Sequence, residues 1–478
     1  MAAGVRVDQG AGALGVRASA RDSLTVSVLV LALALLGSAC SAGYQGQVRN
    51  LHRAIDAGDT NAALNHANAA LGVERAEQLP GKTGGDVPLL LLERAALLQA
   101  DGDHAGAARD FAAADKGMEI LDFTSDDAGE VGKYLFSDDA TIYKAPPHEK
   151  LLLNTLAMVS YLAAGDLDGA KVEARRLAVL QKYFGDAAPE ELALFGLGSY
   201  LAGFTFEYAG DSDEALRFYL EAQARGGYDG LGPQLAYLGR ASGFENEIVV
   251  AAKADYPDAS RPGDAEGEVL VVVQNGRAPY KVAERFPIGA FLVVPIADQR
   301  YAMNPEERQR ADRVVASGLL KWINFPVLKG VNLRHKTFTV TSDGALEHSP
   351  VIDLNVAEAT LAAWENDKGK MMVSALTRMV TRAIAAEATT AVGQGAGLDK
   401  QLFPGASWLL GRVVEGGLTA ADTPDTRSWT MLPSHVQIYR LRVKAGTRRV
   451  TVRSSLGSIS REVEVRPGGF AVVSARFL

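Results

Sequence analysis

From about Tyr44 to Ala241 the apolar positions recur with a helical period in an alanine-rich background. Within that stretch a short pattern returns. It opens with Gly-Asp, places Ala five residues after the Gly, and puts a core residue four further on. The copies are "GDTNAALNHANAA" from Gly58, "GDHAGAARDFAAA" from Gly102, "GDLDGAKVEARRL" from Gly165 and "GDSDEALRFYLEA" from Gly210. Each predicts a helical hairpin. Gly takes the left-handed C-cap of one helix, and Asp caps the next. Ala107, Ala170 and Ala215 let two helices approach closely, and Phe111 or Tyr219 fills the groove between hairpins. The copy at Gly58 is degenerate.

After "KADYPDASRPGDAEG" (253–267, read as a linker) the period shortens to two. "EVLVVVQNGRAPYKVAERF" predicts a hairpin turning at Asn275-Gly276, with Pro279 placing the second strand at an edge. "AFLVVPIA" and "KTFTVTSDG" predict further strands. Asn355 and Glu358 form a capping pair for a helix from Val356 to Asp367, and a longer helix is expected from Met371 to about Val392. Four strands close the chain, roughly 435–444, 448–453, 460–466 and 469–477, expected as a meander with one buried and one wet face.

The hairpins resemble the tetratricopeptide repeat. Tyr161 and Phe206, four residues before their Gly-Asp, match the aromatic of the first helix, and Gly203 matches its small packing position. The Gly-to-Gly spacings of 44, 63 and 45 exceed the standard ~34, so loops or extra turns separate the copies. The longest insert, "FTSDDAGEVGKYLFSDDATIYKAPPHEK", carries Phe123, Tyr134, Phe136 and Tyr143, which suit packing onto the helices. The fold expected is α+β and multidomain: a TPR-like α-solenoid over 40–252, then a β-rich, sandwich-like module over 268–478 with inserted helices at about 356–392.

Cys40 is the only cysteine in 478 residues, which excludes an internal disulfide and a cysteine-based zinc site. It follows an uncharged run from Leu24 to Leu36, too short for the ~20 residues of a membrane span but suited to a signal peptide, with Arg17 and Arg21 in front. Gly37, Ser38 and Ala39 then lead into Cys40. This resembles a bacterial lipobox. The resemblance implies a signal peptide over 1–39, lipidation of Cys40, and, from Ser41 behind it, sorting to the outer membrane facing the periplasm.

Candidate chemistry is sparse. The seven histidines show no metal spacing, and no Walker, Gly-x-Ser-x-Gly or dinucleotide pattern occurs. No cofactor, no metal site and no catalytic group is expected. The net charge of −8 argues against nucleic-acid binding, but from Arg427 onward there are ten Lys/Arg and two acids. Arg440, Arg442, Lys444, Arg449 and Arg453 alternate out on the C-terminal strands. They read either as a surface for an anionic partner, cell wall or lipid, or as a solvated face paired with Glu462 and Glu464. Asp425, Arg427 and Trp429, on an irregular segment, read as a structural latch or, alternatively, a ligand site.

"YKAPPHEKLLLNTLAMVSYLAAGDLDGAKVEARRL", "VLVVVQNGRAPYKVAERFPI" and "DTRSWTMLPSHVQIYRLRVKAGTRRVTV" together resemble blocks of an uncharacterised family of bacterial envelope lipoproteins with TPR-like repeats. That resemblance implies location and repeats, not a reaction. The expected function is a membrane-anchored scaffold with a protein partner in the repeat groove. The rival is an enzyme or a small-ligand or glycan binder, with its site where the Gly393–Gly417 segment meets the C-terminal sheet.

Overall fold

The computed structural model describes residues 43–120, 143–184, 192–287, 309, 322–330, 337–369, 371–372, 375 and 424–478. Cys40 and residues 1–39, most of the aromatic insert, "AFLVVPIA", most of the helix expected from Met371, and Gly393–Gly417 lie outside them. The described residues are mixed helix and sheet, an α+β protein.

Helices pair into antiparallel neighbours: α1 (Tyr44–Asp56) with α2 (Thr60–Leu71), α3 (Val87–Asp101) with α4 (His104–Gly117), α5 (Pro147–Ala163) with α6 (Leu167–Phe184), and α7 (Leu192–Tyr208) with α8 (Ser212–Gly226). The turn chemistry is the same in all four. Gly58, Gly102, Gly165 and Gly210 sit at φ of +75°, +96°, +76° and +81°, a region that favours residues without Cβ. The following aspartates then accept the amide three residues on, at 2.8, 2.9, 2.8 and 3.2 Å. A fifth hairpin, α9 (Gly232–Ser242) with α10 (Glu247–Asp255), uses Gly243 and caps with Asn246 instead. It escaped the sequence pattern because Phe244 and Glu245 separate its Gly from its cap.

Strands β1 (Glu119–Ile120) and β2 (Lys144–Ala145) make a short parallel bridge, and β3 (Glu266–Asn275) begins the main sheet. The others are β4 (Tyr280–Pro287), β5 (Trp322–Lys329), β6 (Thr339–Ser342), β7 (Ala345–His348), β8 (Ile352–Asn355), β9 (His435–Lys444), β10 (Gly446–Ser454), β11 (Gly457–Val465) and β12 (Phe470–Phe477). One sheet has the order β12-β3-β9-β8, a second β11-β10-β6-β7, and β4-β5 form a separate ribbon.

Two sequence expectations fail here. The C-terminal strands do not form a single meander. β10 and β11 pair with each other, but β9 and β12 lie on either side of β3 in the other sheet. Alternation along each strand specifies its faces, not its partner. Nor do β3 and β4 form a hairpin. Gly276 does turn at φ +61°, but β3 is already paired on both edges, and β4 leaves to pair with β5.

The period-2 pattern buries both faces of the main sheet. Val269, Val271, Val273, Tyr439, Leu441, Val473 and Ala475 pack against Val450, Val452, Phe338 and Val340 of the second sheet. Leu270, Val272, Val436, Ile438 and Val472 face the helices and share one apolar cluster with them. The result is three layers: helices, sheet, sheet. α3, α5 and α7 rest on the main sheet, which explains why α3 is buried from Pro88 to Gln99, charged residues included. The 253–267 stretch marks a change of secondary structure rather than of core. It contains the end of α10 and the start of β3, and apolar packing continues across the boundary.

Candidate functional site

The most elaborate polar site is built on residues 424–434, which lack regular structure yet are buried apart from the half-buried Thr426. Asp425 folds the segment back on itself. Its carboxylate accepts the Arg427 amide at 2.9 Å and the Arg427 guanidinium at 2.6 Å. The guanidinium also lies over the Tyr143 ring and 3.6 Å from Asp86. Trp429 is 1% exposed and meets the edge of Phe111 at 5.8 Å. Asp425, Arg427 and Trp429 thus lie together on the segment they were read to latch.

What the sequence reading missed is the other half of the contact. Two buried carboxylates accept the segment's backbone amides. Trp429 N donates to Glu149 Oε1 of α5 at 3.0 Å. The amide and hydroxyl of Thr430 both donate to Glu93 Oε1 of α3, each at 2.8 Å. Tyr44 of α1 donates to the same oxygen at 2.5 Å, and Tyr143 donates to Glu149 Oε2 at 2.7 Å. Gln45 donates to the Thr426 carbonyl at 3.0 Å, and His52 Nε2 lies 2.6 Å from the Thr430 hydroxyl. Three successive hairpins therefore grip one irregular stretch of the chain. The signal was present: Glu93 interrupts the apolar run "VPLLLLERAALL", where an acid needs a partner.

Burial controls the electrostatics. It raises the Glu93 carboxyl from 4.5 to about 7, against the pull of the Tyr44 and Thr430 hydrogen bonds. Burial lowers His52 to about 4 and Arg476, which donates to Gln274 at 2.6 Å, to about 10. The Tyr44 and Tyr143 hydroxyls are pushed well above the usual range by burial and then by the neighbouring carboxylates.

The basic surface is redistributed. Arg440 does not face water. Its side chain points from β9 into the helical layer, where Glu207 of α7 and Glu268 of β3 lie 2.7 and 2.5 Å away. Tyr219 receives a hydrogen bond from Arg440 at 2.9 Å and donates to Glu207 at 2.7 Å, while Tyr208 donates to Glu268 at 2.5 Å. Strand alternation correctly set Arg440 opposite Tyr439 and Leu441, but helices cover that face. Arg442 is exposed and paired with Glu266 at 2.8 Å, and Lys444 is exposed at the strand end. Arg449 and Arg453 are exposed on the second sheet, with Arg449 paired to Glu462 at 2.6 Å. The five residues do not share one face.

The hairpin residues lie within or between helix pairs. Ala107, Phe111, Ala170, Ala215, Phe206 and Tyr219 are buried, and Tyr161 is half-buried. A Cβ on Gly203 would come within 2.7 Å of the Tyr219 ring, so this position admits only glycine without movement. Phe206 stacks on Phe218 with centroids 5.6 Å apart.

Among the described residues no group of three or more His, Cys, Asp or Glu is arranged to hold a metal, and no helix is long and apolar enough to cross a membrane. No protein-family model, no curated protein and no solved structure matches this chain.

Proposed function

We propose that this protein is a lipid-anchored scaffold of the bacterial cell envelope. In this reading its helical hairpins form a TPR-like α-solenoid, and Cys40 carries the lipid that holds the chain on the periplasmic side of the outer membrane. The observation that carries the scaffold reading is the grip on residues 424–434. Successive hairpins accept the main-chain amides of an irregular segment through Glu93 and Glu149. Stacked hairpins offer continuous surfaces on which several units can meet one chain. Here those acceptors are taken up by the chain's own segment, so in this reading the protein partner meets the exposed side of the helices. Val172 and Val179, seven residues apart on α6, are 44% and 69% exposed there and offer an apolar contact. Arg442, Lys444, Arg449 and Arg453 stay candidates for a contact with anionic lipid or wall polymer, without Arg440.

The test has two parts. Cys40→Ala should release the protein from membranes into the soluble fraction. Retention after a high-salt wash would refute the anchor. A photo-crosslinker at position 179 of the anchored protein should give a discrete adduct in cells, and one at position 429 should give none. The reverse pattern would refute the outward placement.

A further inference from the structure

We propose that a cleft between the N-terminal end of α5, the β4-β5 ribbon and the helix over 356–369 binds the carboxylate of a small apolar acid. The cleft adjoins the gripped segment but uses different groups. Lys281 of β4 lines it and is only 7% exposed. Its main chain is immobilised. The amide donates to Ser428 Oγ at 3.1 Å, the carbonyl accepts from Gln45 at 3.2 Å, and the residue pairs with Leu328 across the ribbon. Its ammonium, by contrast, has no hydrogen-bond or ion-pair partner among the described residues.

Ser428 adds a second unspent donor. Its oxygen accepts from Lys281, and its own hydroxyl proton has no acceptor among the described residues, although the side chain is buried and lines the same cleft. The third contribution is the positive end of α5. This 17-residue helix begins at Pro147 beside the cleft without a side-chain cap. Lys281 and Ser428 favour an anionic oxygen, while Glu149 in the first turn of α5 offsets part of the helix end.

The walls restrict which anion fits. Trp364, Met371, Leu328 and Pro279 are apolar, and Trp364 is held by Phe325 with centroids 6.3 Å apart. Glu149 and Asp367 also reach the lining. Both oxygens of Glu149 already accept hydrogen bonds, from Trp429 N and Tyr143, so it stands there as an acceptor. Both carboxylates oppose an anion, so a ligand of one charge, seated against Lys281 and away from them, is the most the lining admits. The enclosed volume of about 30 Å³ has room for roughly two waters, the space of a carboxylate head group. The remainder of the acid would lie along the apolar rim.

Calorimetric titration of the full chain with 4-methylpentanoate, its neutral amide and inorganic phosphate tests this. The acid should bind at least tenfold more tightly than the amide or phosphate. Lys281→Met should reduce acid binding at least tenfold without lowering Tm, and Ser428→Ala should reduce it severalfold. No binding of the acid, equal binding of acid and amide, tighter binding of phosphate, or full binding by Lys281→Met would each overturn the proposal. The amide comparison needs no variant and decides the matter even if Lys281→Met does not fold. Leucine shares the acid's tail and carboxylate but adds an ammonium. Leucine binding more tightly than the acid would overturn the simple-acid assignment in favour of an amino acid that also meets Glu149 and Asp367.

Discussion

Arg440 Nη2 and Glu207 Oε1 lie 2.7 Å apart across the interface between the main sheet and α7, from positions 233 residues apart in sequence. Both are buried. Burial pushes the Glu207 carboxyl up, but Arg440 overrides it and the net shift is downward. Burial opposes the Arg440 charge too, yet Glu207, Tyr219 and Glu268 hold it well above its usual range. Removing Glu207 leaves Arg440 dry with Glu268 as its one remaining carboxylate partner. Glu207→Ala should cost about 3–5 kcal/mol in urea unfolding. Arg440→Met with Glu207→Leu and Glu268→Gln should recover much of that loss. A triple variant as unstable as the single one would show that the network is more than mutual compensation.

The gripped segment gives a pH signature. The folded state raises Glu93 from 4.5 to about 7, so it favours the neutral acid. That contribution is complete below pH 4.5 and is lost as pH rises to about 7. It amounts to about 3 kcal/mol at 1.36 kcal/mol per pKa unit. Glu93→Gln keeps an acceptor and removes the titration. Its stability relative to wild type should therefore rise between pH 4.5 and 8, read by denaturant unfolding at both ends. A constant difference would contradict the burial argument. His52, lowered to about 4, acts in the opposite sense: its contribution is present above pH 6.5 and is lost as pH falls towards 4.

Trp429 anchors the same segment. Trp429→Ala should destabilise by about 3–5 kcal/mol. Arg427, 4% exposed in the folded chain, should then become a site of early tryptic cleavage. Retained protection at Arg427 in the variant would mean that Glu93 and Glu149 hold the segment without the ring.

Gly203→Ala tests how hairpin packing couples to the Arg440 network. The added Cβ displaces the Tyr219 ring, whose hydroxyl bridges Arg440 and Glu207. The expected cost is about 1–3 kcal/mol from overpacking alone. In a Glu207→Gln background the cost should shrink, because Tyr219 then has less to lose. Strict additivity of the two changes would place the strain elsewhere.

The helical turns were readable because their chemistry is local. A glycine that accepts positive φ and an aspartate that caps three residues on need no distant partner, and Asn355 with Glu358 follows the same logic at 3.1 Å. The acceptors Glu93 and Glu149 were not read. Each is defined by donors 337 and 280 residues away. Lys281 was missed for a related reason. Its neighbours in sequence suggest an ordinary edge strand, and only the approach of Ser428 and Trp364 encloses it.

Sequence alone determined the period of each element, the caps at four hairpins and the alternation of the β-strands. These depend on backbone geometry within a few residues. Tertiary structure decided which strands pair, which faces become dry and which charges are sealed inside. Alternation places Arg440 opposite Leu441 in either case. Whether that side meets water or the carboxylate of Glu207 depends on α7 folding over it, and no pattern along β9 encodes that cover.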